Sequence, residues 1–335
     1  MSKQQTIFSE IHVALSIANE SDPLQIKNVD NIVANIYNQE KAKRTFTKNR
    51  INNLSSAGDA IRRFLINNKV QPNNVKWTGK ENIGAYTSVA KDIEVSNYRV
   101  SVKENADVFI NGSPERIFIY IPQGIIGQTI RGCDWFYKIA PFEYNDYYQT
   151  CIRELNITDF PSEVTKFYDE LDKEQRTIFG KKVKSLHDAK NCNVLEKYNK
   201  LCQKVSEESA NQFNSNLSKR KQALSPIFHF FFKINGISYM LAGTEKSRSF
   251  AVLLPSSDEW IRIYEFKNIV AKPKLAGQPE VILECLFYDK ENKKKFVLNL
   301  KVEIRWSHGK FCGNPEAKVY KQWSYNSLPW IINLF

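Results

Sequence analysis

The chain is short of the residues that most often build small structural or catalytic centres. Its six cysteines, Cys133, Cys151, Cys192, Cys202, Cys285 and Cys312, are scattered without a Cys-x-x-Cys pair, which argues against a zinc ribbon and against a disulfide framework. Most read as reduced core or near-surface thiols. The four histidines, His12, His187, His229 and His308, show no metal-ligand spacing. Gly-x-Ser-x-Gly, a Gly-rich phosphate loop ending in Lys-Ser/Thr, and His-Glu-x-x-His are all missing, so the common hydrolase, nucleotide-loop and zinc-protease signatures do not apply. No apolar run approaches the ~20 residues of a membrane span. MSKQQTIFSEIHV lacks the long apolar core of a secretory signal. The expectation is a soluble, cytoplasmic protein with no membrane partner. Internal repeats and low-complexity segments are also lacking.

What the chain has in excess is positive charge. Over 335 residues, 48 Lys and Arg stand against 36 Asp and Glu, a net charge of +12. Such an excess favours polyanions, nucleic acid first, through phosphate contacts and counterion release. The length allows two domains or one elaborated one.

Four segments follow in order. Residues 1–74 read as helical: Val29, Ile32, Val33, Ile36 and Tyr37 recur at helical spacing, as do Ile61, Phe64 and Leu65 after a cap at Ser55 or Ser56. Between them KAKRTFTKNR, residues 41–50, offers Lys41, Lys43, Arg44, Lys48 and Arg50 as phosphate contacts. The alternative is a solvated face, and Phe46 reads as core. Residues 75–150 turn to strands, with Asn111, Gly112 and Pro114 separating Val108–Ile110 from an apolar run, Ile117–Ile121, taken as a further strand. The aromatics of residues 131–148 read as packing residues. Residues 151–225 are charged and helical, with an apolar stripe at Val194, Tyr198, Leu201 and Val205. Residues 226–335 are strand-rich: FHFFFKINGISYMLAG suggests a hairpin at Asn235-Gly236, and a second hairpin has its tip at Asp289 to Lys295. The fold class expected is α/β (α+β), a central mixed sheet flanked by helices with a strand-rich C-terminal part.

The functional reading centres on KDIEVSNYRVSVKENA, residues 91–106. Side chains two apart on a strand share a face, so Asp92 and Glu94 point together on one strand and Ser101 and Lys103 on the next, with a turn around Asn97. A paired hairpin would gather carboxylates, a hydroxyl and an ammonium on one side of a sheet, a seat for a divalent metal and a water. An alternating polar hairpin can equally be the wet face of an antiparallel pair.

An acid on one strand and an acid-x-Lys triplet on the next resembles the PD-(D/E)XK nuclease core of many type II restriction endonucleases. Asp92 matches the first acid and Lys103 the lysine. Ser101 stands where the family usually has Asp or Glu, and Lys91 where it has Pro; some members carry Ser-x-Lys and take the missing carboxylate from elsewhere. The resemblance covers roughly residues 75–125. It implies a restriction-endonuclease-like sheet, a Mg²⁺-dependent, sequence-specific endonuclease acting on double-stranded DNA, and a homodimer on a palindromic site.

Metal hydrolysis of a phosphodiester uses one or two carboxylates plus substrate oxygens around Mg²⁺, with a lysine beside the phosphate or water. Asp92 is the first metal ligand expected; Glu94, Glu81 or Glu104 would supply the second, Glu94 sharing the Asp92 face. Glu303-Ile304-Arg305 is the runner-up triplet, more simply a charge pair in a sheet. The loop after it, with Arg305, Ser307, His308, Lys310, Asn314 and Lys318, has side chains suited to phosphates and base edges. A nucleic-acid-binding protein without catalysis is the alternative function.

Overall fold

The computed structural model describes residues 3–43, 46–79, 92–104, 108–126, 132–220, 223–234, 236–306 and 309–335. Three helices open the chain: α1 (Lys3–Ala18), α2 (Asn31–Ala42) and α3 (Lys48–Asn67). Asp30 and Thr47 cap α2 and α3, their side chains accepting from Val33 N and Arg50 N. The helix containing Ser55 and Ser56 thus begins a full two turns before the cap expected there.

The first sheet has six strands in the order β1 (Lys76–Trp77), β2 (Ile93–Val95), β3 (Tyr98–Glu104), β5 (Tyr239–Glu245), β6 (Arg248–Leu254) and β11 (Ile332–Asn333). It is mixed, because β3 and β5 run parallel while the other pairs are antiparallel. One face carries Ile93, Val95, Val100, Val102, Met240 and Ala242, buried with the apolar sides of α1, α2 and α3. The other carries Tyr239, Leu241, Phe250 and Val252 and belongs to the larger core. Burial on both faces makes this a central sheet between layers.

The second sheet is antiparallel, in the order β4 (Val108–Gly112), β10 (Glu316–Lys321), β9 (Lys294–Arg305), β8 (Glu280–Asp289) and β7 (Tyr264–Lys274). Its buried face, including Ile269, Val281, Leu283, Leu300, Val302 and Val319, packs with the helices of the middle of the chain. These are α4 (Trp135–Ile139), α5 (Pro141–Glu154), α6 (Phe167–Glu170), α7 (Lys173–Asp188), α8 (Cys192–Ser218) and α9 (Ser225–Phe232), with α10 (Ser257–Ile263) following β6. Val194, Tyr198, Leu201 and Val205 are the buried stripe of α8, as their spacing predicts. The fold is α/β with mixed and antiparallel sheets flanked by helices. Both sheets draw strands from either side of residue 226, so the expected segments share sheets.

Three local expectations are corrected. Arg116–Tyr120 is a short π-helical turn, not a strand. Ile117, Phe118 and Ile121 are buried together, a helical spacing, and the Ser113 hydroxyl accepts from Arg116 N to start the turn. FHFFF lies in α9, not in a hairpin: Pro226 opens the helix, Phe228, Phe231 and Phe232 are all buried, and Lys233 in the left-handed conformation (φ 58°) ends it. The hairpin forms one strand later, between β5 and β6, around Lys246 and Ser247, both at positive φ. The hairpin with its tip after Asp289 forms as expected from β8 and β9.

Candidate active site

The expected hairpin forms from β2 and β3. Ile93 pairs with Val100, Glu94 with Arg99 and Val95 with Tyr98 around a two-residue Ser96-Asn97 turn. Asp92 therefore stands across from Ser101. Asp92 Oδ2 accepts from the Ser101 hydroxyl at 3.0 Å and from Val102 N at 2.7 Å, and the Lys103 ammonium lies 3.9 Å away. Asp92 and Ser101 are buried, whereas the Lys103 side chain is 41% exposed. Ser101 is 1% exposed and donates to the carboxylate. It orients Asp92 and supplies no charge of its own.

The residue that sequence reasoning missed is Glu10. It lies on α1, buried, and accepts from the Trp77 indole N–H at 2.7 Å. Burial pushes its carboxyl up to about 7, and the charge of Asp92 adds to the rise while Trp77 and Lys103 oppose it. The carboxylates of α1 and of the β2–β3 hairpin are thus near enough for their charges to interact, and Lys103 acts on Glu10 as well. A signal existed: Glu10, Val13, Ala14 and Ile17 fall on one helical stripe, and an acid on an apolar stripe is an anomaly.

Glu94 shares the strand face of Asp92 as expected, but its carboxylate is 3.7 Å from the Lys76 ammonium on β1. Glu81 lies outside the described residues. Glu104 points away from Lys103, as alternation predicts, and is bound by Ser9 Oγ of α1 and by the Arg50 guanidinium of α3.

The parallel pairing of β3 with β5 places Gly243 beside Lys103. A Cβ built on Gly243, whose φ is +144°, would stand 1.8 Å from Lys103 O. Only glycine permits this approach. Positive charge gathers on the same side: Lys233, at the end of α9, is pushed down to about 8 by burial and by the charges of Lys103 and Arg116. Tyr239 OH donates to Lys233 O at 2.8 Å and fixes that backbone.

The other expected contacts are spread over the molecule. Lys41 lies over the Tyr37 ring at 5.7 Å, Lys43 pairs with Glu40 at 2.8 Å, and Lys48 is exposed in the first turn of α3. Arg50 is committed to Glu104 and to the Phe46 ring, 3.9 Å from its centroid. Arg44, Ser307 and His308 lie outside the described residues. Arg305 sits on β9 with its guanidinium 3.5 Å from Glu303, so the runner-up triplet is an ion pair along one strand. Lys310 packs against Tyr198, Asn314 donates to Gly132 O at 2.8 Å, and Lys318 is on β10 across from Glu303. The structure does not bring the second-sheet residues into the Asp92 cluster.

Among the described residues no set of three His, Cys, Asp or Glu side chains is placed to hold a metal. Glu10 and Asp92 offer two hard oxygen donors of the kind a divalent cation takes, and burial first, then the Asp92 charge, raises the Glu10 carboxyl, a rise that a positive ion would oppose. No helix of the described residues is long and apolar enough to cross a membrane. Comparison with protein-family models, curated proteins and solved structures returned no match to this chain.

Proposed function

We propose that the protein is a Mg²⁺-dependent, sequence-specific endonuclease acting on double-stranded DNA, of the type II restriction kind and working as a homodimer. The observation that carries the reading is the Asp92–Lys103 pair on the β2–β3 hairpin, 3.9 Å apart, with the buried Glu10 of α1 near enough for both charges to act on its carboxyl. In this reading Glu10 takes the place of the carboxylate that Ser101 lacks, and Ser101 holds Asp92 in position.

Bound between Glu10 and Asp92, a divalent cation would supply neutralising charge to the scissile phosphate. The remaining work falls to the chain. Lys103 presents its ammonium to a phosphate oxygen or to the attacking water. Water attack forms one phosphorus–oxygen bond as another breaks. Lys233 and Arg116 add positive charge on the Lys103 side, where a phosphodiester would lie.

The test is duplex DNA incubated in Mg²⁺ with the wild type and with Lys103→Ala. Discrete fragments from the wild type, with a loss of at least ~10²-fold in the variant, are expected for a group acting beside the reacting phosphate. Salt-sensitive binding with no cutting by either protein would favour the non-catalytic DNA-binding alternative, in which Asp92 and Lys103 are only an ion pair.

A further inference from the structure

Away from the Asp92 cluster, α7, α8 and the loop after β9 enclose a cavity of about 330 Å³. Four cationic side chains line it: Lys181 and Lys184 from α7, Arg305 from the end of β9, and Lys310 from the following loop. Lys181 and Lys184 are three residues apart, so they share a helix face. Among the described residues no carboxylate lines the cavity. Asp188 pairs with Lys184 at 2.5 Å and Glu303 with Arg305 at 3.5 Å, both from outside the lining.

Lys310 is the deepest of the four. Its ammonium lies 3.4 Å from the centre of the Tyr198 ring and 5.8 Å from that of Trp306. The rings hold the cation in place without neutralising it. Burial pushes Lys310 down to about 8, opposed only by the Cys202 and Cys151 thiols. Tyr198 OH donates to Gln278 Oε1 at 2.7 Å, which leaves the Gln278 amide N–H groups as further donors on the rim. The walls are fixed rather than loose. A Cβ on Gly180 would lie 2.6 Å from both Lys310 O and Cys312 Sγ, so α7 is seated directly on the loop.

We propose that this cavity binds the phosphate of a nucleotide, with Lys181, Lys184, Arg305 and Lys310 as its cationic contacts. A preformed recess with four cations, no acid in its lining and a half-buried ammonium is an electrostatic sink for a multiply charged oxyanion. Its volume exceeds that of a bare phosphate and lies at the lower end of the ~300–1,000 Å³ of small-ligand sites, room for part of a nucleoside as well. The ligand can be a free nucleotide or one unit of a DNA strand. The site does not depend on the nuclease reading, since binding is measured without cleavage.

The experiment is calorimetric titration of the full chain, without divalent metal, with inorganic phosphate, dAMP, a single-stranded oligonucleotide and a duplex. Lys310→Met keeps the stem over Tyr198 and removes the charge; Lys184→Glu reverses an exposed charge and leaves the core alone. Each is expected to weaken dAMP binding at least tenfold if the ligand is a free nucleotide. If the ligand is a strand unit, the same loss appears with the oligonucleotide or duplex and dAMP binds no better than phosphate. Equal binding of every probe by wild type and both variants overturns the proposal. So does the lack of binding by the wild type up to about 5 mM, where a site this charged should register.

Discussion

At the scale of single residues, Glu10 ties stability to the candidate chemistry. Its carboxyl titrates at about 7 in the folded protein and at 4.5 as its ordinary value. The folded state therefore holds the extra proton between those values, and the stability of the metal-free protein falls as pH rises through that window. Glu10→Gln removes the penalty. Urea unfolding above pH 7 without metal should show the variant more stable by roughly 1–3 kcal/mol, while its DNA cutting is lost. Mg²⁺ should stabilise the wild type there and leave the variant unchanged. A variant that is less stable above pH 7 would make Glu10 chiefly the acceptor for Trp77. Gly243 makes a second prediction: Gly243→Ala places a methyl against Lys103 O in a backbone region that L residues avoid. A loss of about 4 kcal/mol or more is expected by thermal unfolding, and any folded fraction should have a displaced Lys103 and reduced cutting.

At the scale of elements, α1, α3 and β3 are joined at one buried carboxylate. Glu104, with its side chain 2% exposed, receives Ser9 from α1 and Arg50 from α3. Burial raises its pKa and Arg50 opposes the rise. Removing one partner leaves the other charge buried and uncompensated, so Arg50→Met should cost about 3 kcal/mol in denaturant unfolding. The same variant separates this role from the phosphate contact that its basic surroundings suggest. The slope of DNA affinity against salt should stay as in the wild type, and a slope lower by about one would return Arg50 to the DNA surface.

Periodicity and turn chemistry made part of this legible. The helical N-terminal region, the β2–β3 hairpin and the β8–β9 hairpin follow from alternation, turn signals and helical spacing, and the α8 stripe likewise. The failures share a cause: apolar runs such as Ile117–Ile121 and FHFFF carry no period that separates a buried strand from a buried helix. The β5–β6 turn was hidden because Lys246 and Ser247, rather than Asn-Gly, adopt positive φ. In the candidate site, local spacing exposed Asp92, Ser101 and Lys103. Glu10 depends on a helix docking onto a distant strand, and only its place on an apolar stripe announced it.

At the scale of the whole molecule, the excess of 12 positive charges acts over the surface rather than at one cluster. The parallel pair of β3 and β5 has a different global consequence. Val100 lies beside Met240, and the sheet that supports Lys103 lacks its neighbour until the chain has been made past Glu245. Closing such a long loop carries an entropic cost that only the later strands offset. During synthesis, a ribosome-bound chain ending before Tyr239 should therefore hold Asp92 and Lys103 in an unassembled state. Limited proteolysis of stalled nascent chains should find residues 92–104 cleavable in chains ending before residue 239 and protected once residues 239–254 have emerged. Equal protection at both lengths would show that the hairpin and α1–α3 fold by themselves. On the proposed function, the Asp92–Lys103 hairpin stays unarmed toward DNA until most of the chain has left the ribosome.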